Sequence, residues 1–585
     1  MSGFNVIRRS LLEWYDSEGE VLILNEEEGF LSECFSGDAR VISTSDSSSL
    51  WEMCEKNTTF DLIIMYDLYD FCIKSETPVR DMIEKLLSIK KDDGTLFLAM
   101  ENKLGLKYFA GCGEEQKGDY YVGIEDYNDF EGDICPLSKK EVEDVLNSFE
   151  GVDYQFYYPY PDYKYPTVIF TDDCLPKEGE LFRNIRNIDR DRYVMFDERR
   201  AFDSVIKAGL FPDLANSFLI SIGSTMKLIY TKYSTDRDKR FAIRTDRLLD
   251  SDNKETIIKV PLFPEAEAHL SHMVEMSAKL QERYEDKLII SKSTYEDSKL
   301  YNEYIEGISY AEHFLDLIRK KDIDNVKEEL NKYRDIIYYS KEGEEPFEIT
   351  PEFREVFGPE AGISKATLKT APVTDIDMIL DNIIVDNAGN WNLIDYEWTF
   401  DFPIPREFVL YRTIHYLYNE SPIDTLISWD DMMGWAGIDK DLCECFDKME
   451  ESLQNYIMGD TETIERALPT CGTVATSLDT LRERAELYEE GIKYRDNYNN
   501  LIKEHNRIVN SPGYKNATKL KEYNDNIKNI YLAKENYLND MMKELDKTRK
   551  ELAGTQKELG DVNMELHNIK ESKWYKVRNK LKGES

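Results

Sequence analysis

The stretch from Thr374 to Asp395 gathers the residue types most able to do chemistry in this chain. Ile383-Ile384-Val385 and Trp391-Asn392-Leu393-Ile394 read as two short strands, and Asp386-Asn387-Ala388-Gly389-Asn390 between them is rich in residues that accept left-handed backbone angles. Folding that hairpin brings its open ends together, so Asn382, just before the first strand, comes close to Asp395, just after the second. Two oxygen ligands meeting there make a candidate Mg²⁺ site. Asp377 precedes Asn382 on the loop leading in, where a carboxylate can accept a proton from an attacking hydroxyl.

This Asp377…Asn382…Asp395 order resembles the catalytic loop and metal aspartate of protein-kinase-like and aminoglycoside-phosphotransferase-like enzymes. The resemblance implies Mg²⁺ and ATP as cofactors, Asp377 as the base, and Asn382 and Asp395 as metal ligands. The family usually carries a His two residues before the catalytic Asp, and here that residue is Asp375. Lys259, in Ile257-Ile258-Lys259-Val260, sits on a predicted strand as a phosphate-binding lysine should. Glu275 in the following helix is its expected ion-pair partner, with Glu265 and Glu267 as competitors. Glu303-Tyr304-Ile305-Glu306-Gly307 resembles the hinge between lobes. There is no Gly-rich phosphate loop; the corresponding turn, 235–240, offers Arg237 or Lys239 to phosphates instead.

A second candidate site lies near the start. Val21-Leu22-Ile23-Leu24 is followed by Asn25-Glu26-Glu27-Glu28-Gly29, at the place where an α/β domain holds a nucleotide-like cofactor. Aligned on a Gly-x-Gly-x-Gly loop, Asn25 and Glu27 occupy the first two glycine positions and only Gly29 remains. Asp46 either binds a ribose at the end of the second strand or caps the helix that follows, and both readings stand. Phe60-Asp61-Leu62-Ile63-Ile64, Glu101-Asn102-Lys103-Leu104-Gly105-Leu106-Lys107, Gly123-Ile124-Glu125-Asp126-Tyr127 and Tyr158-Pro159-Tyr160-Pro161-Asp162-Tyr163-Lys164 are similar to a bacterial class I methyltransferase subgroup associated with cell-surface polysaccharide genes. That resemblance spans about residues 15–180 and implies S-adenosylmethionine as a candidate cofactor, held by Gly29 and Asp46.

The elements that must position these residues alternate. Runs at 21–24, 41–43, 62–65 and 96–100 read as strands separated by helices such as 79–89, which predicts a parallel sheet covered on both faces. Residues 180–215 are charged and helical. A second set of strands follows at 218–222, 228–231, 241–244 and 256–260, and Pro264 opens a helix. Toward the C-terminus Leu538, Leu545, Leu552, Leu559 and Leu566 recur every seven residues, with Met541, Thr548, Thr555, Val562 and Ile569 three positions on. This predicts a coiled-coil seam with two threonines in its middle. The tail Ser572–Lys582 is basic and interleaved with Trp574, Tyr575, Val577 and Leu581, as suits an anionic membrane surface.

Composition sets the outer bounds. A hydrophobic fraction of 41% supports sizeable cores, and a chain of 585 residues is long enough for about four domains. With 74 Lys+Arg against 115 Asp+Glu, the net charge of −41 disfavours nucleic acid as a partner. Nine cysteines without a Cys-x-x-Cys fit a reducing cytoplasm. Glu13 and Asp16 interrupt the N-terminus before a signal-peptide core develops, and no apolar run reaches membrane-span length, so the expectation is a soluble or cytoplasmically attached protein.

The expected architecture is an α/β Rossmann-like methyltransferase domain (1–180), a helical connector (181–215), an α+β kinase-like domain (216–470), a helical region (471–525), a coiled coil (526–571) and a basic amphipathic tail (572–585). It is similar to that of bifunctional bacterial proteins that cap O-polysaccharide chains at the inner membrane. The resemblance implies a membrane-peripheral transferase acting on a glycan or lipid-linked polysaccharide by methyl and/or phosphoryl transfer, cytoplasmic on the inner face of the plasma membrane and homo-oligomeric through its coil. The alternative is a non-catalytic scaffold with two degenerate nucleotide folds on a stalk.

Overall fold

The computed structural model describes residues 7–571 except 27, 36, 38, 129, 131–133, 184–189, 224–226, 235, 250–253, 342, 344, 359–367, 461–474 and 512–518. The chain divides into two compact units, residues 1–187 with 196–464, and residues 188–195 with 465–585.

Twelve strands of the first unit form one sheet: β1 (Glu20–Leu24), β2 (Arg40–Thr44), β3 (Phe60–Met65), β4 (Lys90–Glu101), β5 (Tyr154–Tyr160), β6 (Val168–Thr171), β7 (Ser217–Ile222), β8 (Lys227–Tyr233), β9 (Ile243–Leu249), β10 (Glu255–Pro261), β11 (Ser293–Glu296) and β12 (Lys299–Glu303). Their spatial order is β11-β12-β10-β9-β8-β6-β5-β7-β4-β3-β1-β2. The β2, β1, β3 and β4 pairings are parallel, as their helical crossovers require. From β4 onward every pairing is antiparallel.

The parallel part is hydrophobic on both faces because helices cover both. Leu22, Leu24, Ile63 and Met65 point into one core, while Val21, Ile23, Leu62 and Ile64 point into the other. Asp92–Gly94 lies inside β4, where the register against β3 shifts between Phe60 and Leu62. Gly94 is required there, since a Cβ would stand 2.9 Å from the carbonyl oxygens of Phe60 and Asp61.

β7 joins the middle of this sheet. Residues 217–222 were assigned by sequence to the second domain, yet β7 lies between β4 and β5, antiparallel to both. The strand at 217–222, expected to open the second domain, thus belongs to the same sheet as β4 and β5. The helices before it, Glu198–Lys207 and Phe211–Leu214, place Phe202 and Phe211 in the first core. Pairing of β6 with β8 then carries the same sheet into the second half without a break.

In the second half β8 to β12 make an antiparallel lobe backed by helix Glu267–Tyr284. The helix buries Leu270, Met273, Met276, Leu280 and Tyr284 along one side, matching the 3.6-residue period. A short run leads from β12 to a small second sheet built from Gly307–Ser309, Ile383–Asp386, Trp391–Leu393 and Ile289–Ile290. The expected hinge, 303–307, is that connection. Gly307 is needed where it ends, because a Cβ would meet the Val385 carbonyl oxygen at 2.3 Å. Helices Tyr310–Arg319, Ile323–Tyr338, Arg406–Glu420 and Lys440–Met458 complete this helical lobe.

The second unit contains a parallel strand pair, Arg192–Val194 with Ala475–Ser477, followed by helices Leu478–Val509 and Lys519–Glu571. Ser477 caps the first helix by accepting the Thr480 amide. Tyr498 meets Tyr531 edge-on at 5.3 Å, and Lys534 lies over the Tyr494 ring at 5.8 Å, so the two helices run antiparallel in that region. The heptad positions Leu538, Met541 and Leu545 fall on the long helix and are exposed. The side chains of Thr548, Leu552, Thr555, Leu559, Val562, Leu566 and Ile569, and the whole basic tail 572–585, lie outside the described residues. No described helix is long and apolar enough to cross a membrane.

Candidate active site

The hairpin forms as its composition predicts. Ile383, Ile384 and Val385 pair with Leu393, Asn392 and Trp391. Asp386 braces the turn by accepting the Ala388 and Asn390 amides, each at 2.9 Å, while Gly389 takes φ +83°. At the open end the Ile394 amide donates to the Asn382 carbonyl at 2.9 Å, which sets Asn382 beside Asp395. The Asn382 side-chain nitrogen donates to the Asp377 carbonyl at 2.8 Å and approaches its carboxylate at 3.4 Å. That leaves the Asn382 amide oxygen as the atom it could offer a cation, at the same end of the hairpin as Asp395. One amide oxygen and one carboxylate suit a hard dication. Among the described residues no group of three or more His, Cys, Asp or Glu is placed to hold a metal.

Asp377, Asn382, Asp395 and Lys259 thus come together, but Glu275 does not join them. Lys259 on β10 is buried and pairs with Asp395 and, at 3.4 Å, with Glu397. Glu275 is 62% exposed in its side chain and pairs with Lys279 at 2.7 Å. The expected Lys259–Glu275 pair is therefore corrected: the lysine's partners come from the segment after the hairpin. The sequence assigns Glu397 no role, although its place two residues beyond Asp395, in Asp395-Tyr396-Glu397-Trp398, is the available signal. Its other partner is Arg237, at 2.6 Å, whose guanidinium also lies 5.3 Å from the Trp398 ring centroid. Burial works against charging Lys259, but the Asp395 and Glu397 carboxylates overrule it and raise its pKa. Burial likewise opposes ionisation of Glu397, and Arg237 and Lys259 overcome it, holding the carboxyl well below the usual range.

The loop around Asp377 is shaped by two residues. Asp375, where the family has His, is fully buried and accepts the Asp377 amide at 3.0 Å, closing a tight turn. Its segment is clamped by antiparallel pairing of Thr374–Asp375 with Thr399–Phe400. Arg412 reaches in from helix Arg406–Glu420. It donates to the Ile376 carbonyl at 2.8 Å, pairs with Asp377 at 3.5 Å and is anchored by Glu450 at 2.9 Å. Burial raises the Asp377 pKa, with Arg412 opposing. Half-buried and with its pKa raised, this carboxylate holds a proton more readily than an exposed one.

The first half is arranged differently. Asn25 takes φ +65° and Gly29 φ +79°, so the loop after β1 keeps the left-handed angles of a glycine-rich turn. Its amides, however, are met by the chain itself: the Glu26 carboxylate accepts the Phe30 N–H at 2.7 Å. Glu26 is buried, and burial raises its pKa while that amide opposes the rise. The Asn25 side chain donates to the Asp67 carbonyl at 3.2 Å and the Asp70 carboxylate at 3.0 Å. Asp46 forms the helix cap that one of its two readings expects. One carboxylate oxygen accepts the Ser48 amide at 3.2 Å and the other the Ser49 hydroxyl at 3.1 Å. The residues offered to S-adenosylmethionine thus take part in local structure: Glu26 meets the amide that follows Gly29, and Asp46 caps a helix while staying exposed. The 101–107 segment is also structural: Lys107 is buried with Glu101 at 2.9 Å and Asp162 at 3.6 Å, and Asn102 donates to the Asp213 and Ala215 carbonyls, both at 2.8 Å.

No family model matches the chain, and no curated protein does. Among solved structures, the bifunctional kinase-methyltransferase WbdD is 10% identical, with 77% of this chain and 86% of that chain covered and a TM-score of 0.20. The macrolide 2'-phosphotransferase MphH from Brachybacterium faecium is 11% identical over 41% of this chain and 87% of that chain, with a TM-score of 0.21. A phosphoethanolamine N-methyltransferase from Haemonchus contortus is 14% identical, with a TM-score of 0.19; 37% of this chain is covered, and the match spans only 37% of the nematode enzyme's length. The structures similar to this chain thus include a methyltransferase–kinase, a methyltransferase and a phosphotransferase, at TM-scores too low to decide its function.

Proposed function

We propose that this chain is a transferase of bacterial cell-surface polysaccharide biosynthesis, with phosphoryl transfer from ATP to a glycan hydroxyl as its working chemistry. The observation that carries the reading is the hairpin-linked meeting of Asp377, Asn382 and Asp395 with Lys259. Asn382 and Asp395 would hold Mg²⁺, and Lys259 would orient the nucleotide's phosphates. When bound, Mg·ATP supplies the phosphoryl group and neutralises charge as it transfers. Asp377 accepts the proton of the attacking hydroxyl, and Arg412 keeps its carboxylate aimed. The test is calorimetric titration of the chain with Mg·ATP, with Asp395→Ala as control, followed by transfer to an isolated glycan acceptor. Binding lost in Asp395→Ala and transfer lost in Asp377→Asn are expected. Intact transfer in Asp377→Asn would overturn the assignment of the base.

A second reading rests on the self-capped loop at Glu26 and the capping role of Asp46. On it the first half is a framework that performs no methyl transfer, and titration with S-adenosylmethionine stays silent. Silence with Mg·ATP as well would favour a non-catalytic scaffold throughout. The C-terminal region completes the proposal: the heptads of the long helix join copies of the chain, and the basic tail attaches the assembly to the anionic cytoplasmic face of the plasma membrane. Joining several weak anchors in one assembly would strengthen that attachment.

A further inference from the structure

At the candidate site two cations, buried Lys259 and half-buried Arg237, share one buried carboxylate. Glu397 places one oxygen 2.6 Å from Arg237 and the other 3.4 Å from Lys259. Its side chain is 4% exposed, against 43% for Asp395. Among the described contacts the segment behind β10 gives Lys259 no carboxylate: Glu265 is exposed, Glu267 is half-buried, Glu275 is paired with Lys279, and the lysine's ion pairs are with Asp395 and Glu397. What the helix turns inward is His269, packed against Phe241 and Trp398, each at 5.2 Å between ring centroids. Asp395 also pairs with Lys259, but it is the residue that the metal ion would claim.

We propose that Glu397 is the positioning residue of this site, fixing Lys259 on β10 and Arg237 on the β8–β9 turn, and that it does so without binding the metal. This rests on the kinase-like reading above. Two carboxylates face Lys259 so that one can turn to Mg²⁺ while the other keeps the lysine in place. Arg237, drawn to the same carboxylate, pins the turn that stands where a glycine-rich phosphate loop would be. Removing Glu397 leaves two cations facing each other in a poorly solvated pocket with one counter-charge fewer, and both side chains then lose their fixed directions.

The test uses the full chain and three variants, Glu397→Gln, Glu397→Asp and Asp395→Asn. ADP affinity is measured calorimetrically with and without Mg²⁺, and amide exchange is followed over 236–242 and 255–261. For Glu397→Gln the proposal expects ADP to bind about tenfold more weakly in both conditions, with the Mg²⁺ dependence unchanged. Faster exchange in the two segments and partial rescue in Glu397→Asp should accompany it. Asp395→Asn should instead lose the Mg²⁺-dependent part alone. Wild-type ADP affinity in Glu397→Gln, or a selective rise in the Mg²⁺ it requires, would overturn the proposal, the latter by making Glu397 a metal ligand. If the unaltered chain binds no nucleotide, the kinase-like reading fails. The exchange data then decide whether Glu397 holds the turn and β10: unchanged exchange in Glu397→Gln refutes that as well.

Discussion

Replacing Arg412 by Met keeps the length of the side chain and deletes its charge, which isolates what the guanidinium does. In the structure it is buried, hydrogen-bonded to the Ile376 carbonyl at 2.8 Å and ion-paired with Glu450 at 2.9 Å and Asp377 at 3.5 Å. The variant leaves two carboxylates and a carbonyl at this point without their shared cation. Loss of one partner from a buried pair costs about 3–5 kcal/mol, and the Asp377 and Glu450 side chains retain 22% and 20% exposure, which argues for the lower end, about 3 kcal/mol. Urea unfolding of Arg412→Met, of Glu450→Gln and of the double variant provides the assay. The double variant should be less destabilised than the sum of the two singles by about 1–2 kcal/mol, because the second change removes a carboxylate that the first left unpaired. In transfer assays Arg412→Met should lower turnover, while Mg·ADP affinity, set by Lys259 and Asp395, stays close to that of the unaltered chain. An unfolding free energy within about 0.5 kcal/mol of wild type, a margin typical of inconsequential substitutions, would refute the reasoning. Strict additivity would do the same.

Burial pushes the His269 imidazole down to about 4, Glu397 only partly opposing, so between there and its unfolded value near 6.5 the unfolded chain takes up a proton that the folded chain does not. Stability should fall as pH drops through that window, by about 1 kcal/mol between pH 7 and about pH 5.5, and His269→Gln should flatten the difference in urea midpoints; an unchanged slope counts against it. Gly307→Ala drives a Cβ to 2.3 Å from the Val385 carbonyl oxygen, and should cost about 1–3 kcal/mol as overpacking does, measured by thermal unfolding; an unaltered melt would mean the hinge adapts. Deleting residues 572–585 should abolish binding to vesicles of anionic lipid and leave Mg·ATP binding intact, and retained vesicle binding in a flotation assay rules the tail out as the anchor.

How much was legible depended on the range of the contacts. The turn residues Asp386 to Asn390 and the apolar runs beside them specify the hairpin within some twenty residues, so the approach of Asn382 to Asp395 could be read without a structure. The strands of the first sheet announce themselves as apolar runs for a similar reason, and Lys259 could be placed on a strand. Asp46 carried both of its readings in its neighbours, and the directions of Ser48 and Ser49 show the cap formed. The tertiary structure decided everything that depended on which distant segments meet. β7 is an ordinary apolar run in sequence, and nothing local says that it returns between β4 and β5. The partner of Lys259 could be sought on the next helix by analogy, but a buried ammonium pairs with whichever carboxylate the folded chain delivers, and here those are Asp395 and Glu397, more than a hundred residues away. Arg412 comes to Asp377 in the same way, from a helix that packs against the Asp375–Asp377 segment. Sequence alone determined the local chemistry on offer; burial, which turns nearby charges into obligatory partners, was settled by the fold.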